Sequence, residues 1–278
     1  MAASTESSSG HAMGGETRRA GRELVLDLVF RPLSNALVPV LARAGIAPTT
    51  VVLANALVGL VAALALARGQ LLVAAVLLQV KTLLDNTDGQ LARASGRVTL
   101  AGRYLDTEAD LLVNAALFGA LGHVTGQPVL AAAGFVALTL VLTVDFNVTE
   151  LGRETLGPAS TRPASSGGRA ERVLERIYVA VFAPLDRLVR GFSEQRLERL
   201  VPAEAPAATT DEARLVYRDR LTVTVLANLG LSTQLAVLGA CLAFGVPELY
   251  LWIVLGCLLL IVPLQLRAER RARTTLAA

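Results

Sequence analysis

Four aspartates stand at the spacings Asp85-x2-Asp88 and Asp106-x3-Asp110, at the ends of two stretches apolar enough to be membrane helices. A carboxylate at bilayer depth is costly and is normally retained only for function. Four converging carboxylates require a cation, because unpartnered like charges would force one another to protonate. The ligands are oxygens alone, with no Cys or His nearby. That favours a hard ion, Mg2+ or Mn2+, over Zn2+.

The spacing implies geometry. Asp85, Asp88, Gly89 and Ala92 fall within a wedge of roughly 100° on one helix, and Thr99, Gly102, Asp106 and Asp110 within roughly 80° on the next. Ser95 and Gly96 interrupt the pattern, so residues 94–98 read as a turn between antiparallel helices. Two carboxylate-bearing faces can then meet across a small gap.

The elements that must carry this pair are membrane helices. Over half of the 278 residues are apolar (53%), which indicates an integral membrane protein rather than a soluble domain. Windows of about 20 apolar residues fall at 47–67, 70–92, 99–121, 127–148, 221–244 and 247–267. The expected fold is therefore all-α, a bundle of six transmembrane helices with an N-terminal interfacial helix. Residues 1–20 are Ser/Gly-rich and lack an apolar h-region, so they read as a disordered tail and not a signal peptide. Residues 21–46 alternate apolar and basic groups around Pro32 and suit a bent interfacial helix.

The remaining parts follow from composition. Residues 47–150 hold spans one to four with the motif at 85–110; 151–220 form a cytoplasmic insert; 221–268 hold spans five and six; 269–278 are a basic tail. Within the insert, 169–200 is amphipathic, with Pro184 expected to break it in two, as a helical hairpin on lipid or a lid over the site. Residues 157–168 and 202–211 read as linkers. Arginines gather around the motif turn, in the insert and in both tails, while the opposite connections carry almost none beyond Arg68. By the positive-inside rule, both termini and the motif face the cytoplasm, in the plasma membrane. The net charge of +3 reflects that asymmetry and anionic lipid headgroups, and no nucleic-acid surface is indicated.

With its glycines, alanine and arginine, the run DNTDGQLARASGRVTLAGRYLDTEAD fits D-x2-D-G-x2-A-R-x8-G-x3-D-x3-D at all eight specified positions. It resembles the signature of the class I CDP-alcohol phosphotransferases, membrane enzymes of phospholipid synthesis. The resemblance extends more loosely over 21–150 and 221–268. It implies transfer of a substituted phosphoryl group, phosphatidyl from CDP-diacylglycerol, to an alcohol acceptor with release of CMP. The reverse arrangement, a small CDP-linked headgroup passed to a lipid alcohol, is the alternative. It implies two divalent ions, Mg2+ or Mn2+, on the donor diphosphate, held by Asp85, Asp88 and Asp106. Asp110 is implied to help bind metal and to deprotonate the acceptor hydroxyl, and Gly89, Arg93 and Thr99 to hold cytidine and diphosphate. The expected partners are the CDP-linked donor, the alcohol and membrane lipids, with a homodimer left open. Many members carry Pro-Asn or Pro-Asp before the first span, where this chain has Pro48-Thr49.

The chemistry supports these roles independently. Displacement at phosphorus needs charge neutralised on bridging and leaving oxygens, which a pair of metal ions supplies. An arginine fork adds bidentate phosphate contact, and Gly89 leaves room for a planar base. Blander readings stand beside each. Lys81 reads as an interface anchor, Thr99 equally as a helix N-cap, and Cys241 and Cys257 as packing residues. Glu108 is expected to face away from the site, and Asn86 and Gln90 could support it from behind. A prenyltransferase would need a second acidic motif, yet Asp145, Asp186, Asp211 and Asp219 stand singly. A cation transporter would favour inverted repeats, and none is visible. Arg153, Arg214, Arg218 and Arg220 weakly favour a phosphorylated polyol as acceptor.

Overall fold

A computed structural model describes residues 23–155, 165, 167–198 and 220–276. The chain enters through a π-helical turn, Leu26–Phe30, that continues into α1 (Arg31–Arg43). Pro32 falls in the first turn of α1, where its missing N–H leaves no rung broken. Next come α2 (Pro48–Ala67), α3 (Leu71–Ala94), α4 (Leu100–Thr125) and α5 (Pro128–Thr155). The amphipathic α6 covers Arg169–Glu198. Two short helices, α7 (Arg220–Ala227) and α8 (Leu231–Ala243), precede the long α9 (Pro247–Leu276). No strand occurs among the described residues.

Prolines and glycines place the boundaries. Pro48, Pro128 and Pro247 each open a helix, and Gly69, Gly126 and Gly245 follow helix ends at φ near +70°. That pairing of proline start and glycine stop matches the unsatisfied groups at each terminus.

Among the described residues, three helices are long and apolar enough to cross a membrane: α2, α5 and α9. The segments α7 and α8 pass together as a fourth, bent by 51°. The uninterrupted fifth span expected over 221–244 is thus broken at Asn228-Leu229-Gly230, a polar and glycine-bearing step. Helices α3 and α4 exceed 20 residues but carry the motif's charges, so the count of six is not met on apolarity alone. Leu53, Leu57, Leu72, Val76, Trp252 and Leu259 stand exposed on helix faces, as lipid-facing side chains would.

The core lies where α2, α3, α4, α5, α8 and α9 converge, around Leu66, Leu78, Leu117, Leu138, Leu238 and Leu251. Helix α2 packs along both α3 and α4, which touch each other only slightly. Gly59 makes this possible: a Cβ there would lie 2.5 Å from Val113 Cγ1 on α4 and 3.2 Å from Lys81 Cδ on α3. Backed by α2, the two motif helices keep a crevice between them.

Helix α6 differs from expectation. It runs through Pro184 without dividing, at the loss of one backbone rung. It packs on α4 and α5. The rings of Tyr104 and Tyr178 lie 5.0 Å apart, and Asn147 Nδ2 donates to Asp186 Oδ1 at 3.1 Å. The tail 1–20, most of the linker 157–168, the linker 202–211, and Asp211, Arg214, Arg218 and Asp219 lie outside the described residues, as do the side chains of Arg153 and Arg220.

Candidate active site

The hairpin of α3 and α4 is closed by local chemistry. Gly96, at φ +65°, ends α3, with Arg97 N–H bonded to Ala92 O at 2.9 Å and Ser95 Oγ to Leu91 O at 2.7 Å. Thr99 then caps α4: its Oγ1 accepts from Gly102 N–H at 3.1 Å. A Cβ on Gly102 would lie 3.0 Å from that oxygen, so the motif's second glycine leaves the cap undisturbed. The N-cap role of Thr99 is therefore realised.

Inside the crevice, Asp85 and Asp88 from α3 meet Asp106 from α4. One carboxylate oxygen of each lies within 4.8 Å of the others. Asp88 Oδ2 and Asp106 Oδ1 are buried and accept no hydrogen bond. Orphaned acceptors in a low-dielectric interior are expensive, and two of them beside a third carboxylate satisfy themselves best on a cation. All donors are carboxylate oxygens, which suits Mg2+ or Mn2+. The residues present thus fit a divalent ion.

Asp110 is not part of that trio. Its Oδ1 accepts from Lys81 Nζ at 2.7 Å, and the same ammonium lies 3.8 Å from Asp85 Oδ1. Lys81 was expected at the membrane interface; the structure corrects this, because the side chain is completely buried between α2, α3 and α4. Standing one turn before Asp85, it shares the motif's face.

Two neighbours of the motif had no role assigned from the sequence. Asn55 of α2, almost completely buried, donates its amide to Asp85 Oδ1 at 3.0 Å. Its signal was a lone amide in an otherwise apolar span. Ser232, at the start of α8, accepts from Asn86 Nδ2 at 3.4 Å, and the same amide donates to Thr82 O at 2.7 Å. Asn86 thus ties α3 to α8.

Gly89 lies beneath its own helix's arginine. A Cβ at 89 would sit 3.5 Å from an Arg93 guanidinium nitrogen, so the two share one patch of the helix surface. Glu108 turns to α6, beside the Tyr178 backbone. Burial, and then the Asp186 carboxylate, hold the Tyr178 phenol above its ordinary range.

The CDP-alcohol phosphatidyltransferase family model matches residues 45–189, more than half of the chain, and includes the whole hairpin. Neither a curated protein nor a solved structure matches the chain.

Proposed function

We propose that this chain, which belongs to the CDP-alcohol phosphatidyltransferase family, transfers a phosphatidyl group from CDP-diacylglycerol to an alcohol and releases CMP. The family carries the coarse reaction, transfer of a phosphorylated alcohol group from a CDP-alcohol. The observation that supports a catalytic site here is the trio Asp85, Asp88 and Asp106, gathered from two helices, two of whose members carry orphaned buried oxygens.

Asp85, Asp88 and Asp106 would hold the donor's metal, with Asp110 within the ligand set of a second ion. Bound there, Mg2+ or Mn2+ would neutralise charge on the diphosphate oxygens. Arg93, folded over Gly89, offers a guanidinium to the diphosphate, and a turn of that side chain away from Gly89 would leave room there for the cytosine ring. Thr99 can cap α4 and still accept or donate one further hydrogen bond to the nucleotide. Asp110 takes the acceptor's hydroxyl proton as its oxygen forms a bond to the phosphatidyl phosphorus. The bond from that phosphorus to the CMP oxygen breaks, and CMP departs.

In this reading α3 and α4 cross the bilayer with the four apolar spans, making six, and α1 lies in the interface. Their charges face the crevice, where paired and metal-held carboxylates are tolerated. The crevice opens to the cytoplasm, where a cytidine nucleotide is at hand. Purified protein supplied with CDP-diacylglycerol, Mg2+ and a panel of alcohols tests the reading. CMP release that depends on one acceptor class supports it. Release only from a donor with a small CDP-linked headgroup would reverse the roles of donor and acceptor.

A further inference from the structure

Lys81 belongs to no part of the eight-residue signature, yet among the described residues it is the charged side chain most completely enclosed by the fold. It is fully buried, whereas the Asp110 side chain it binds keeps 19% of its surface exposed. The ammonium therefore grips Asp110 at Oδ1 from a fully buried position and leaves part of the aspartate side chain exposed. The stem is threaded past Gly59, where a Cβ would stand 3.2 Å from Lys81 Cδ. Any larger residue at 59 would press on that stem. A second contact reaches Asp85 Oδ1 at 3.8 Å, so one ammonium spans both motif helices.

Burying a lysine is unfavourable unless its charge is matched and its donors are used. An interface anchor would extend to water, as lysine stems ordinarily do. This one turns inward to a carboxylate that is placed to receive a proton. We propose that Lys81 is a positioning residue for the transfer reaction: it fixes the Asp110 carboxylate toward the acceptor. The inference rests on the reaction proposed above.

A purely supporting lysine and a positioning lysine part company in measurable ways. In Lys81→Met the stem keeps its bulk and loses its charge. Mn2+ titrated alone, followed by its paramagnetic resonance, should bind about threefold or more tightly than to the parent, since a like charge near Asp85 has gone. Turnover measured as CMP release should fall about 30-fold or more while donor KM stays within about threefold, because a misaligned base costs rate and not binding.

Parallel loss of Mn2+ affinity and donor affinity would overturn the proposal, as would unchanged turnover. Should Lys81→Met fail to fold around an unpaired Asp110, the double variant Lys81→Met/Asp110→Asn removes both charges. Its residual turnover should match that of Asp110→Asn, because Lys81 acts through that carboxylate. A further fall of about tenfold or more would overturn the proposal. A parent protein that releases no CMP from any donor sinks the reaction itself. A working parent with an indifferent Lys81→Met sinks only the role of Lys81.

Discussion

Asn55 Nδ2 on α2 donates to Asp85 Oδ1 on α3 at 3.0 Å, so the first aspartate of the motif is held by a helix that lies outside the motif hairpin. Lys81 Nζ approaches the same oxygen at 3.8 Å. The amide and the ammonium both approach Oδ1 of a carboxylate that also has an oxygen within 4.8 Å of its counterparts on Asp88 and Asp106. Removing a buried hydrogen bond to a charged group costs about 1.5–3 kcal/mol. Asn55→Ala is therefore expected to lower CMP release by about tenfold or more and to raise the divalent-ion concentration that half-saturates activity. A Mg2+ titration of the purified variant checks both. An unchanged half-saturation point would mean that Asp85 keeps its orientation without the amide.

Each of Asp85→Asn, Asp88→Asn and Asp106→Asn should abolish transfer, since loss of a catalytic ion removes many kcal/mol of transition-state stabilisation. The proteins should still insert and elute as the parent does in size-exclusion chromatography. Mn2+ binding measured on the same samples should weaken in all three. Activity retained by any one of them would contradict a metal centre built on this trio.

Asp110→Asn should lose about 100-fold or more in turnover if its main role is general-base catalysis. Its loss of donor affinity should be smaller than that of Asp85→Asn. Glutamate at 110 moves the carboxylate by more than about an ångström and should rescue little. Titration of CDP-diacylglycerol onto each variant decides the matter. Equal loss of donor binding in Asp110→Asn and Asp85→Asn would make Asp110 chiefly a ligand, and the base would lie elsewhere.

Single cysteines placed at 96, 125 and 246, in a background lacking Cys241 and Cys257, should report the orientation of the bundle. Position 96 should label only from the cytoplasmic side, and 125 and 246 only from outside. Labelling of 96 from outside alone would place the crevice away from its cytidine nucleotide.

The motif and the helices that carry it were legible in the sequence because both depend on short-range spacing. Asp85, Asp88 and Asp106 meet where a 100° wheel places them, and Thr99 caps α4 as its position before an apolar run suggests. What escaped was set by packing at long range. Lys81 sits within reach of either an interface or a core, and only the closeness of α2, permitted by Gly59, encloses it. Asn55 is 30 residues from its partner, and no periodicity links them. The break between α7 and α8 had a local sign, Asn228-Leu229-Gly230, but hydropathy averaged over about 20 residues smooths such a step away. Pro184 misled in the other direction: helix α6 tolerates the lost rung because Tyr178 and Asp186 pin it to α4 and α5.

Helix α9 comprises 30 residues, about 45 Å at 1.5 Å per residue. A hydrocarbon layer of about 30 Å cannot cover it, so its basic end projects beyond the lipid. On that projecting mast stands Glu269, which Arg196 of α6 engages at 2.5 Å. Bilayers of different thickness are met by different helix tilts. Any tilt of α9 would be passed to α6 through that ion pair, and α6 in turn rests by Tyr178 against Tyr104 of the motif helix.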